Sequence, residues 1–356
     1  MLMKSIRDAK IAGLRVLMRC DFNVPLSKEG DILDDFRIRS SLPAMEYVLQ
    51  KGGKLILATH LGDPDGKPVR PLSTSKIREK LAELLDVLVE QVKDCVGKDV
   101  ERAVHAMASG EALLLENVRF HKEEQENGKE FAKKLAALGD IYVNDAFSVC
   151  HRKHASVVGV PGFIPSYAGF FLEQEIEGLK RISSSPRRPV VAVIGGKKIE
   201  SKLPVIDYIS KTANAVLLGN VLANEAKSKK VKFKNSSKVF VPLDGIPGQG
   251  KEFDIGLTTR ALYLKILKDA KTVFWAGPLG KVEDARYEAG SLAIARAIIK
   301  SNAYSVAGGG DLAAFLGKHR LREKFSHVST GGSAMLEFLA GKKLPGLKAL
   351  DYYARN

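Results

Sequence analysis

Short apolar runs without polar alternation recur along the chain, separated by stretches in which apolar residues return every three or four positions. The runs are Arg15–Cys20, Lys54–Thr59, Ala112–Leu115, Ile141–Val143, Val190–Ile194, Ala215–Leu218, Val239–Val241, Thr272–Trp275, Tyr304–Ala307 and Val328–Thr330. Each has the length of a strand, and uninterrupted apolar strands alternating with helices mark parallel sheets covered on both faces. They are too numerous for one modest sheet. Phe171–Arg181 has helical periodicity and runs into Ser183-Ser184-Ser185-Pro186, a stretch that reads as a linker. The pattern predicts an α/β protein of two parallel-sheet domains joined near residues 170–186, with no internal repeat.

A second pattern lies at the ends of those strands. Asp21 and Asn23 follow the first run, His60 the second, Asn117 and Arg119 the third, Asn144 and Asp145 the fourth. Later come Gly195-Gly196-Lys197-Lys198, Gly219-Asn220, Asp244, Gly277-Pro278, Gly308-Gly309-Gly310-Asp311 and Gly331-Gly332. Open α/β sheets bind ligands at the carboxyl ends of their strands, so each half reads as a ligand-binding lobe. The first half offers Arg37, Arg39, His60, Arg119, His151 and Arg152, whose forked N–H donors match phosphate and carboxylate oxygens. The second offers glycine turns, where backbone N–H groups approach an anion closely, with Lys198 and Lys202 near a helix start. Asp311 suits a Mg²⁺ position, since that ion takes few protein carboxylates. Any one arginine is equally a surface ion pair, and one glycine pair is more often an ordinary turn; the clustering at strand ends favours ligands.

Composition narrows the partners. The 356 residues carry a formal net charge of +15, which implies anionic partners. The basic run Lys227–Lys238 lacks interleaved aromatics and reads as a solvated face, so no specific nucleic acid is expected. No apolar run spans a bilayer, and the amino terminus from Met1 and Leu2 lacks a secretory signal. Cys20, Cys95 and Cys150 form neither a disulfide framework nor a CxxC pair, which places the chain in a reducing cytoplasm. Gly245-Ile246-Pro247-Gly248-Gln249-Gly250-Lys251-Glu252 imitates a phosphate-binding loop, but Glu252 replaces the hydroxyl residue and would repel phosphate. His151 and His154 lack the companions of a zinc site, and no G-x-S-x-G elbow occurs.

Nine stretches, in order and over nearly the whole length, resemble the phosphoglycerate kinase family. They are Arg19-Cys20-Asp21-Phe22-Asn23-Val24-Pro25, Asp35-Phe36-Arg37-Ile38, His60-Leu61-Gly62, Leu115-Glu116-Asn117-Val118-Arg119-Phe120, Asn144-Asp145-Ala146-Phe147 with His151-Arg152, Gly195-Gly196-Lys197-Lys198, Gly277-Pro278-Leu279-Gly280, Gly308-Gly309-Gly310-Asp311 and Ser329-Thr330-Gly331-Gly332. The resemblance implies two Rossmann-like domains hinged by an interdomain helix: 1–170 for 3-phosphoglycerate, 171–186 as helix and linker, and 187–343 for nucleotide. Residues 344–356 return to the first domain. It implies that Asp21, Asn23, Arg37, His60, Arg119 and Arg152 contact 3-phosphoglycerate. Gly195, Gly196, Lys198, Lys202, Gly219, Gly277, Pro278, Glu283, Gly309, Gly310, Asp311, Gly331 and Gly332 fall on nucleotide positions, with Glu283 at the ribose and Asp311 linked to Mg²⁺.

The implied reaction is reversible Mg²⁺-dependent transfer of a phosphoryl group between ATP and the carboxylate of 3-phosphoglycerate, in a cytoplasmic monomer. That carboxylate is already ionised, so positioning and charge neutralisation by Arg37, Lys198 and Lys202 are what the chemistry needs. With the substrates on different domains, closure is expected to bring them together. The chain departs from the family pattern at Asp63 (usually arginine), Ala276 (asparagine), Leu312 (threonine), Ser333 (glycine) and Asn220 (glycine). The segment from Asn224 to Asp254 is short, and Val221–Asn224 is closer to archaeal members. These departures favour altered affinity or nucleotide preference; the competing reading is a catalytically impaired homologue acting as a nucleotide-binding or scaffold protein.

Overall fold

The computed structural model describes residues 3–248 and 251–354. Met1 and Leu2, Gln249 and Gly250 of the phosphate-loop look-alike, and Arg355 and Asn356 of the tail lie outside the described residues. The chain forms two units, Met1–Gln174 with Lys343–Asn356, and Glu175–Lys342.

The first unit is built on a six-stranded, all-parallel sheet. Its strands are β1 (Arg15–Arg19), β2 (Lys54–Ala58), β3 (Val89–Gln91), β4 (Ala112–Leu114), β5 (Ile141–Asn144) and β6 (Ser166–Ala168). The order is β3-β4-β2-β1-β5-β6, with β1 between β2 and β5. Side chains alternate across a strand. Val16, Met18 and Cys20 join Ile6, Phe22, Ile38, Met45 and Leu57 in the core on one face. Leu17 and Arg19 take the other face, both fully buried. This double burial is why the central strands read as unbroken apolar runs.

The pattern missed β3 and β6, and the reason is position. Both are edge strands, three residues long and only partly buried, so Glu90, Gln91 and Ser166 interrupt the apolar signal. The carboxyl-terminal tail packs on this unit. Gly346 N–H donates to the Cys150 carbonyl at 2.8 Å, and Leu347 is fully buried. A Cβ on Gly346 would lie 2.8 Å from Val157 and 2.9 Å from Cys150, so the tail approaches at backbone distance.

The second unit has its own six-stranded sheet: β7 (Val190–Ile194), β8 (Ala215–Leu218), β9 (Val239–Phe240), and, after a hairpin, β12 (Thr272–Ala276), β13 (Tyr304–Gly308) and β14 (His327–Ser329). The hairpin pairs β10 (Gly245–Gly248) with β11 (Lys251–Ile255) in antiparallel register. The sheet order is β14-β13-β12-β7-β8-β9, all parallel, and every residue of β7, β8 and β12 is buried. The described residues of the look-alike stretch thus pair as antiparallel strands, not as a strand leading into a helix. The expected helix at Phe171–Arg181 is present as Phe170–Ser183. Its start is fixed by Asp145, whose Oδ1 accepts from Phe171 N (2.8 Å) and Leu172 N (3.1 Å). Among the described residues no helix is long and apolar enough to cross a membrane.

Candidate functional site

In the first unit the strand ends gather charge around Asp21, one residue beyond the buried Cys20. Asp21 pairs with Arg37, accepts from Ser148 Oγ, and caps its own turn by accepting from Asn23 N at 3.1 Å. Arg37 lies in the first turn of the helix Phe36–Gln50. Asn23 Oδ1 accepts from Gly62 N (2.8 Å), which ties the first strand end to the second. Arg119 sits on the 3₁₀ turn Val118–Phe120, begun by Asn117, and donates to the Gly62 carbonyl at 2.8 Å. Its buried Nε has no hydrogen-bond partner among the described residues. Burial is the main cause lowering the Arg119 pKa. A desolvated cation short of acceptors favours an anion within reach.

Two residues that strand-end reading overlooked organise this cluster. Arg19 is fully buried in β1; it donates to Ser156 Oγ (2.8 Å), to the Cys20 carbonyl and to His60 Nδ1 (3.2 Å). Glu124, equally buried, accepts from Ser156 Oγ (2.6 Å) and Ser156 N (2.8 Å). Arginine has only donors, so His60 Nδ1 is the bare nitrogen and Nε2 carries the proton. Burial, then Arg19, Arg119 and Arg37, hold His60 well below the usual histidine range. His60 is therefore neutral and offers one N–H. His154, 3.7 Å from Glu124, is pushed down to about 3 by burial and the surrounding arginines. The sequence signal for Arg19 was an arginine closing an otherwise apolar strand; for Glu124 there was none.

Arg152 is exposed, yet near enough to Arg119 and His154 to lower both their pKa values. Arg39 is exposed and pairs with Asp35 at 3.0 Å. His151 stands beside Arg152 on the turn after β5. Asn117 serves the fold: its amide donates to Leu61 and Leu72 carbonyls at 2.7 and 2.9 Å. Asp145 is a helix cap whose pKa burial raises to about 7. Asp63, the departure from arginine, is largely exposed, 3.7 Å from Arg119, and accepts from Gln125 at 2.8 Å. It opposes any anion that approaches Arg119.

In the second unit a cleft of about 810 Å³ opens over the strand ends. Gly196, Lys198, Lys202, Gly277, Pro278, Glu283, Gly309, Gly310, Asp311 and Gly332 line it. So do Lys197, Lys251, Lys281 and Lys342, giving six lysines against the four carboxylates of Glu200, Glu283, Asp311 and Glu337. The balance favours an anion. Gly195, Gly219 and Gly331 do not line it. A Cβ on Gly195 would fall 1.9 Å from the Pro278 carbonyl, and Gly195 N and Gly196 N donate to Ala276 and Pro278 carbonyls at 2.9 and 3.0 Å. These glycines let two neighbouring strand ends approach at backbone distance, and their N–H groups are spent on the carbonyls of Ala276 and Pro278. Gly219 N likewise donates to Ile194 (2.9 Å), and Gly331 N to Ser329 Oγ (3.0 Å).

The open backbone lies instead at Gly309, with φ +108°, before the helix Gly310–Lys318. Asp311 is exposed in that helix's first turn. Lys202 projects from the helix Ile199–Ile209; burial lowers its pKa, and Asp311 opposes the shift. Lys198 is the N-cap of the same helix, but the expected phosphate position at that start is taken by Glu225, which accepts from Ile199 N. Glu283 bonds Lys197 at 2.9 Å. Burial raises its pKa, yet the lysine bonds win and hold it below the usual carboxylate range. Of the other departures, Leu312 and Ser333 line the cleft. Asn220 is buried and donates to the Asp254 carbonyl at 2.9 Å. Ala276 is buried at the end of β12. Asp244 caps the helix Leu257–Leu267 through Thr258 N and Thr259 N, at 2.9 and 2.8 Å. The Lys227–Lys238 run is exposed at nearly every lysine, as a solvated face should be.

The chain is similar to known proteins over nearly its whole length. The family profile described as phosphoglycerate kinase matches residues 6–230 and 221–342. The phosphoglycerate kinase of Borrelia garinii subsp. bavariensis is 38% identical over 393 residues, covering 99% of this chain and 100% of that protein. That of Coprothermobacter proteolyticus is 39% identical over 389 residues, covering 98% and 99%. Among solved structures, phosphoglycerate kinase from Pyrococcus horikoshii superposes with a TM-score of 0.89 at 31% identity, covering 98% of both chains. The Coxiella burnetii enzyme gives 0.82 at 32% identity, covering 99% and 100%.

Proposed function

The chain belongs to the phosphoglycerate kinase family, a phosphotransferase family whose acceptor is a carboxyl group, and from that premise we propose how its residues divide the work. The first unit holds 3-phosphoglycerate. Arg37, Arg119 and Arg152 take its anionic groups, the neutral His60 donates from Nε2, and Asn23 and Asp21 orient the glycerate end. The second unit holds ATP or ADP in the lysine-lined cleft, with Glu283 at the ribose and Lys198 and Lys202 at the phosphates. The observation that carries this reading is the contrast in donors: guanidinium groups gathered at the strand ends around Asp21, open glycine backbone with lysines around Asp311.

No general base is required, because the attacking carboxylate is ionised at neutral pH. Its oxygen bonds to the γ-phosphorus as the bond to ADP breaks, and the reverse reaction returns the phosphoryl group. Arg37 and Lys198 stabilise charge on the transferring group, an effect that counts only where it is stronger in the transition state. Lys202, partly desolvated, holds a phosphate oxygen more firmly than an exposed lysine would. Asp311 stands exposed in the lysine-lined cleft, within electrostatic range of Lys202. A single carboxylate suffices for Mg²⁺ that is bound mainly by phosphate oxygens and water, so the residues fit that ion. Bound with the nucleotide, Mg²⁺ supplies positive charge to the phosphates.

The reading takes the chain as a cytoplasmic monomer without nucleic-acid partners. A coupled assay with ATP, Mg²⁺ and 3-phosphoglycerate tests it. Turnover that requires all three is expected; none at high protein concentration rejects the assignment and leaves the scaffold reading.

A further inference from the structure

We propose that Asp94, Cys95 and His121 form a binding site for a borderline divalent cation of the zinc type, separate from the phosphoryl-transfer residues. Among the described residues this is the one group in which thiol, imidazole and carboxylate ligand atoms all lie within 4.8 Å of one another. Asp94 and His121 are 27 positions apart, so no spacing motif announced them. The fold brings them together: Asp94 and Cys95 follow the edge strand β3, and His121 closes the turn that carries Arg119.

The three groups are already oriented. Asp94 Oδ1 accepts from Cys95 N at 2.6 Å, which fixes the carboxylate beside the thiol. The His121 ring stacks on Phe131, with centroids 5.0 Å apart, and turns Nε2 to Asp94 Oδ1 at 2.6 Å. Ligands on one tetrahedral zinc stand roughly 3.3–3.8 Å apart, given bonds of about 2.0–2.3 Å. A cation therefore enters by replacing the proton shared between Asp94 and His121, with only a small separation of the two side chains. Exposure rises from Cys95 (1%) through the His121 side chain (28%) to that of Asp94 (51%), so the open fourth position faces solvent and takes water.

Ligand softness selects the metal. Thiolate with imidazole suits zinc or cobalt and does not suit Mg²⁺. The ligand is the thiolate, so binding releases the thiol proton to solvent as the metal–sulfur bond forms. With three protein ligands the site resembles open zinc centres rather than closed structural ones.

The test is a Co²⁺ titration of the chelator-stripped full chain without nucleotide. The proposal predicts a thiolate-to-cobalt charge-transfer band with tetrahedral d–d bands, saturating at one equivalent, displaced by Zn²⁺ and indifferent to excess Mg²⁺. Cys95→Ser abolishes the charge-transfer band. His121→Ala, at a part-exposed position that leaves the thiol in place, weakens Co²⁺ affinity by more than about tenfold, since even outer-sphere partners cost that much. No such band at millimolar Co²⁺ overturns the proposal. So does a band surviving Cys95→Ser, which would belong to Cys20 or Cys150, or an unchanged affinity in His121→Ala.

Discussion

The two units set out their charged groups by opposite means. The first uses side chains. Its guanidinium groups are held by buried partners, Arg19 against Ser156, which Glu124 holds in turn, and Arg37 against Asp21, so that charge is set in place by the fold. The second uses backbone and long side chains. Its glycines bring strand ends to contact distance, and Lys197 and Lys198 stand exposed at the rim. A site made of coupled buried charges should fail in stability when one member is removed. Removing an exposed lysine such as Lys198 should cost chemistry and leave stability alone.

The sharpest break of that contrast is kinetic. Lys198→Ala should lower kcat by about 10²–10³-fold while leaving the melting temperature unchanged, as for a donor that acts mainly in the transition state. Steady-state rates with differential scanning calorimetry check it; equal losses in KM and kcat would count against the role. Next comes Arg19→Met, which takes away the buried cation whose charge favours ionised Glu124 and leaves Ser156 Oγ without its donor; it should destabilise the first unit by about 3–5 kcal/mol in urea unfolding. The double variant Arg19→Met/Glu124→Gln should recover part of that loss.

A smaller effect concerns pH. His154 titrates near 3 when folded and near the usual 6.5 when unfolded. As pH falls below about 6.5, the unfolded chain takes a proton that the folded chain refuses, and stability declines by about 1.4 kcal/mol per pH unit until about 3. His154→Gln should remove that slope. Asp145, raised to about 7, works in the opposite sense in both proteins and cancels in the difference. Smallest is Asp63→Asn: relief of one exposed carboxylate near Arg119 should lower KM for 3-phosphoglycerate by about 2–5-fold, the scale of a surface ion pair.

The central strands were legible because burial on both faces leaves no polar residue to blur them, as in β7 and β12. The edge strands β3 and β6 were not, since one side of each needs no apolar cover. The polar ends of strands pointed to both sites. They could not separate ligand contacts from caps: Asp21 and Asp145 look alike in sequence, but one pairs with Arg37 and the other starts a helix. Nor could they tell which glycines offer free N–H groups, because that depends on which strand end approaches which, as at Gly195 and Pro278. Glu225 at the start of the Ile199–Ile209 helix and Glu124 beneath Arg19 are tertiary placements with no local mark.

Isothermal titration of the full chain and two variants, with each ligand singly, tests the division of labour most directly. Arg37→Ala should weaken 3-phosphoglycerate binding and keep the nucleotide Kd of the parent chain. Lys202→Ala should weaken Mg²⁺-ATP and keep the 3-phosphoglycerate Kd. If either substitution weakens both ligands alike, the two units do not hold one substrate each and the account is wrong.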